Sequence, residues 1–137
     1  MKPPCIVMVQ FILPALRVLV TRELVEKYGL KQTEVARRMG ITPAAVTQYL
    51  KSVRGGSAVK RVEDLREVCE AASKIAEDLI NPKATVESTL EEICKICTTL
   101  RSKGILCEMH KEVLPALRGR PCNCQCPLHI SKQQMGK

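Results

Sequence analysis

Cys94 and Cys97 stand three apart, and Cys107 and His110 repeat that interval after nine intervening residues. Positions three apart share a helix face. Three thiolates and one imidazole are a standard set for tetrahedral zinc, and thiolates are also the usual ligands of iron–sulfur clusters. The spacing therefore predicts one metal centre, zinc or iron–sulfur, on Cys94, Cys97, Cys107 and His110. The competing reading leaves Cys94 and Cys97 as core residues on an apolar stripe. Cys122, Cys124 and Cys126, followed by Pro127 and His129, form a second, weaker candidate set or a redox-active cluster. Cys5 and Cys69 have no partner in sequence, and Cys69 is read as core. No glycine-rich phosphate loop, GxSxG or HExxH occurs, and a Cys107/His110 nucleophile pair would lack an oxyanion hole. The chain is therefore read as no enzyme, and no small-molecule substrate is inferred.

A second constellation lies in residues 32–51, QTEVARRMGITPAAVTQYLK. Val35, Ala36 and Met39 give a short helix one apolar side, with Ala36 small where another helix must cross. Gly40 supplies the positive-φ residue that ends it. Ile41 packs under the turn. Thr42 is a good N-cap, and Pro43 suits the first position of the next helix. Val46, Tyr49 and Leu50 give that helix its buried side. Thr47, Gln48 and Lys51 lie on another side, with Ala44 and Ala45 near the exposed N-terminus. This is the pattern of a helix-turn-helix whose second helix enters the major groove. An ordinary αα-corner lacks this full set of caps and polar positions.

Charge agrees with that chemistry. The net charge is +8. Residues 1–56 hold nine Lys/Arg against three Asp/Glu, and residues 111–137 hold five against one. Residues 57–110 hold eight against ten. The positive excess thus falls on the helix-turn-helix half and the tail, where phosphate binding needs it. Aromatic residues are 2% of the chain, too few for the stacking platforms of single-strand or RNA binders.

The elements that must position these residues read as helices, since nothing shows sustained period-two alternation. Residues 5–20 are a buried apolar run, too short to span a bilayer and without signal-peptide features. A helix is predicted from about Pro14 to Tyr28, ended by Gly29. Arg54-Gly55-Gly56-Ser57 reads as a linker. A long helix follows from about Lys60 to Ile80, with Val62, Leu65, Val68, Cys69, Ala72, Ile75, Ala76 and Leu79 on one stripe. Thr85 caps the next helix, which runs to about Ser102 with Val86, Leu90, Ile93, Cys94, Cys97 and Leu100 as its apolar side. Gly104 ends it, and one more helix covers Ile105–Leu114. The fold class is all-α: an N-terminal helix-turn-helix bundle (1–56), a helical dimerisation or metal-binding module (57–114) and a basic cysteine-rich tail (115–137). No export signal is visible, so a cytoplasmic protein without membrane contact is expected. Its cysteines are then expected as metal ligands or reduced thiols.

With residues 32–51 and 94–110 in view, the chain resembles the Cro/CI-like (XRE-type) helix-turn-helix regulators. More closely, it resembles an archaeal group of predicted transcriptional regulators with a C-terminal CxxC…CxxH motif. The resemblance rests on Lys2-Pro3-Pro4-Cys5, Leu13–Arg17, the 32–51 segment and Ile93 through His110. It implies a homodimer on double-stranded DNA that responds to redox or metal status. It places Gln32, Thr33, Thr42, Ala44, Ala45, Thr47, Gln48 and Lys51 at the groove or its phosphates. Arg37 and Arg54 would contact phosphate, and Gln48 is the candidate for a base hydrogen bond, such as to adenine. The alternative expectation is a metal- or thiol-handling helical protein that uses the helix pair for protein contacts.

Overall fold

The computed structural model describes residues 3–51 and 62–119, and every regular element among them is helical. α1 (Cys5–Val7) passes through a π turn (Met8–Ile12) into α2 (Leu13–Glu26). The wide turn has a local cause. Pro14 lacks an N–H, and its ring collides with the carbonyl four residues back in a regular helix. Leu13 N–H bonds to the Met8 carbonyl instead, five residues back, which opens the turn ahead of the ring. The helix therefore starts at Cys5 and not at Pro14. The whole run Cys5–Glu26 is 22 residues, long and apolar enough to cross a membrane by length and composition, contrary to the expectation from residues 5–20. Here its Ala15, Leu16, Val20 and Leu24 side is buried in the centre of the core.

α3 (Gln32–Met39) and α4 (Pro43–Lys51) form the predicted pair. Beyond them α5 runs Arg66–Ile80, shorter than the expected helix from Lys60. Leu65 is extended at φ −71° and ψ 127°, which breaks the helix. Val62 and Val68, both fully buried, explain the break. Six positions apart, they would point about 120° from each other on a straight helix. A kink lets both reach one core. Cys69 leaves the expected stripe: it is exposed, its thiol bonded to the Glu63 carbonyl at 3.1 Å, and Ala71 is buried instead.

α6 (Val86–Ser102) begins as expected, with Thr85 Oγ1 accepting from Ser88 N–H at 3.2 Å. Its buried side matches the expectation in part: Leu100 is buried and Ile93 and Cys97 pack half-buried on the core. Glu92, Ile96 and Leu100 face inward, four apart, while Val86 is 74% and Leu90 54% exposed. Lys74 of α5 reaches the Glu92 carboxylate at 3.4 Å, and Lys95 of α6 itself reaches it at 2.8 Å. A buried acid is tolerable once paired. Those two lysines hold the Glu92 carboxyl below its usual range despite burial, which opposes them. Gly104, at φ +74°, turns the chain into α7 (Ile105–Val113).

α2 is the central helix, packed most extensively on α5, which in turn carries α6. One hydrophobic cluster runs from Val7 and Leu24 through Val46 and Val68 to Leu106 and Met109. Residues on both sides of the 56/57 boundary share it. Polar ties cross the same boundary. Ser73 Oγ donates to Glu23 Oε2 at 3.0 Å, and Arg38 Nη1 donates to the Leu79 carbonyl at 2.6 Å, at the C-terminal end of α5.

Candidate functional site

The helix pair is built by local chemistry. Gly40 sits in the left-handed region at φ +67°, as expected. Its N–H bonds back to Ala36 and Arg37 carbonyls, and Ile41 N–H bonds to the Ala36 carbonyl at 3.0 Å. That six-residue closure ends α3 and sets the angle of the turn. Thr42 Oγ1 then accepts from Ala45 N–H at 3.1 Å, capping α4 ahead of Pro43. Val46 has no exposed surface, and Leu50 packs half-buried against the core. The rest of α4 has no freedom to roll, so its outer side is fixed.

The residues assigned to DNA fall on that outer side. Gln32, Thr33, Thr42, Ala44, Gln48 and Lys51 are exposed, and Ala45 and Thr47 are half-buried between them. Thr47 Oγ1 donates to Gln32 Oε1 at 2.9 Å and lies 3.2 Å from the Pro43 carbonyl. This contact joins the start of α3 to the middle of α4. Arg54 lies outside the described residues, as do Cys122, Cys124 and Cys126.

Arg37 is exposed but engaged: its Nε and Nη2 grip Glu34 as a fork. Arg38 Nε binds the same carboxylate at 2.7 Å. Hydrogen bonds from these two guanidinium groups, Arg37 first, hold the Glu34 carboxyl down at about 2. Its ordinary value is 4.5, so the stabilising pairing is complete above that and is lost as pH falls through about 2. A carboxyl-carbon NMR titration is expected to give a Glu34 midpoint near 2; a midpoint at the ordinary value would show that the fork does not persist in solution.

One cation escaped the sequence reading. Lys31 occupies the N-cap of α3, exposed, with no side-chain hydrogen bond to the helix. The first N–H groups of α3 therefore lack a capping oxygen, and a phosphate can take that place. The sequence did carry a signal: Lys31 stands where Ser, Thr, Asp or Asn would otherwise cap.

The four residues read as metal ligands are not brought together. Cys94 is exposed on α6, Cys97 half-buried, and Cys107 and His110 are buried on α7. No group of three or more His, Cys, Asp or Glu among the described residues is close enough to hold a metal ion. Cys107 is disulfide-bonded and so offers no thiolate as it stands, unlike the expected reduced thiol. The donor set in this arrangement does not fit zinc or a cluster, because α6 turns its Cys94 side to solvent. Cys97 instead shares Arg101 with Cys5: Arg101 Nε lies 3.4 Å from Cys97 Sγ, and Arg101 Nη2 lies 3.6 Å from Cys5 Sγ.

Residues 22–69 match the helix-turn-helix family model. The match runs from the last turns of α2 into α5, with α3 and α4 at its centre. It suggests a DNA-binding regulator. It does not reach the cysteines of α6 and α7. No curated protein and no solved structure matches the chain.

Proposed function

We propose that this protein is a sequence-specific transcription regulator of duplex DNA, working without catalysis as a cytoplasmic homodimer with a thiol-based response to redox state. The carrying observation is α4: Val46 is fully buried on one side while Ala44, Gln48 and Lys51 stand exposed on the other. A helix held so firmly can enter the major groove N-terminus first. Gln48 then hydrogen-bonds a base, and Ala44 offers a methyl for contact with thymine. Lys31, Gln32 and the open N-terminus of α3 take phosphate, as does Lys51. The charge of +8 supplies the long-range attraction.

One α4 covers only a few base pairs, so specificity favours two copies on half-sites about one helical turn, roughly 34 Å, apart. No step of this reading passes through a metal.

The test is selection of duplex targets from a random library, followed by anisotropy titrations at several salt concentrations. Log affinity is expected to fall steeply and linearly with log salt. The selected duplex is expected to bind on the order of a thousandfold tighter than random duplex or more. Weak, salt-independent binding with no enriched sequence would favour a helix pair that contacts protein instead.

A further inference from the structure

We propose that Cys5 and Cys97 are a peroxide-sensitive thiol pair that closes to a disulfide, with Arg101 as the positioning residue that gathers them. Residues of two helices distant in sequence meet on a single guanidinium. Its Nη2 lies 3.6 Å from Cys5 Sγ and its Nε 3.4 Å from Cys97 Sγ. The guanidinium is rigid and planar, so both sulfurs stay within a few ångströms of one small plane. Both thiols are free. Cys5 is exposed, in the first helical turn, and Cys97 is half-buried behind it on α6. By spacing, Cys97 pairs with Cys94; by position in the fold, it pairs with Cys5. The pair gives a site to the redox part of the function proposed above, and its chemistry does not depend on DNA.

The oxidant is a hydroperoxide. The exposed Cys5 sulfur attacks one peroxide oxygen, the O–O bond breaks, and the departing hydroxide takes up the thiol proton as water. Cys5 now carries a sulfenic acid. The Cys97 sulfur attacks the Cys5 sulfur, the S–O bond breaks, and that hydroxide leaves with the Cys97 proton as a second water. Two thiols and one hydrogen peroxide thus give one disulfide and two waters, each sulfur losing one electron. Arg101 sits where the leaving hydroxide carries negative charge, which its cation stabilises. The partly exposed Arg101 side chain then swings out as the sulfurs approach to bonding distance, about 2 Å. The closed bond ties the start of the α1–α2 run to α6. Because α2 packs directly on α3 and α4, the bond fastens the helix pair's support to the C-terminal helices.

The test uses the full chain with Cys5 and Cys97 reduced, titrated with hydrogen peroxide, alkylated, digested and mapped by mass spectrometry. The expected first new product is the peptide pair joining Cys5 to Cys97. Cys94→Ser is expected to leave its formation unchanged. Arg101→Ala should slow it about tenfold or more, with partial recovery in Arg101→Lys. Circular dichroism checks that each variant is folded, and the Cys94→Ser arm stands whether or not Arg101→Ala folds. A first product joining Cys94 to Cys97 would overturn the proposal. So would Cys5 over-oxidised with Cys97 untouched, or an unchanged rate in folded Arg101→Ala. Cross-linking in a protein that fails to bind duplex would sink the DNA reading alone; DNA binding without the cross-link would sink the thiol pair alone.

Discussion

Leu24→Ala is expected to lower folding stability by about 2–5 kcal/mol, the range for removing a buried leucine. Leu24 has no exposed surface and sits near the end of α2. That stretch of helix lies where the helix pair and α5 meet, so the cavity would open under both. A domain of this size has about 5–15 kcal/mol in total, so the loss is a large share. Urea unfolding followed by circular dichroism gives the number. It also tests the shared core. One cluster spans Val7 to Met109, so a single transition that shifts as a whole is expected. Two transitions, with only one moved by Leu24→Ala, would mean that residues 1–56 and 57–114 fold as separate units. A shift under 1 kcal/mol, roughly the size of a surface change, would contradict the burial.

Gln48→Ala and Lys51→Ala are expected to separate base reading from phosphate binding. Both side chains are exposed on α4, but they would meet different parts of the duplex. Losing a base hydrogen-bond pair costs about 1–3 kcal/mol of discrimination, roughly 5- to 150-fold. Gln48→Ala should therefore weaken the selected duplex far more than random duplex, with the salt slope unchanged. Lys51→Ala should weaken both to a similar degree and reduce the salt slope by about one. Equal losses on both duplexes in Gln48→Ala would remove Gln48 from the readout. An unchanged slope in Lys51→Ala would place that ammonium away from phosphate. Val46→Ala is the control for loss of structure, since it should abolish both modes by releasing α4 from the core.

The turn around Gly40 was legible because its causes are local. A left-handed glycine, a capping Thr42 and a following Pro43 act within a few residues, and the structure repeats them at φ +67° and with the Ala45 N–H bonded to Thr42. The Thr85 cap and the Gly104 turn were legible for the same reason. The π turn was not, because one proline can either start a helix or widen one already begun. Lys31 was overlooked because its importance lies in a cap that is missing.

The sides of helices show the limit more sharply. Periodicity put Val86, Leu90, Ile93, Cys94, Cys97 and Leu100 on one apolar side of α6, of which the fold buries Leu100, half-buries Ile93 and Cys97 and exposes the rest. The fold buried Glu92, Ile96 and Leu100, since Lys74 on the neighbouring helix could neutralise the one acid among them. That choice turned Cys94 outward and left the expected metal ligands apart. By itself the sequence determined the all-helical class, the helix-turn-helix and its caps, and the concentration of positive charge there, because hydrogen bonds to near neighbours and backbone sterics act along the chain. Only the tertiary structure decided which residues of α6 face the core, that Thr47 meets Gln32, and that Cys97 and Cys5 share Arg101, because these contacts depend on packing between separate helices.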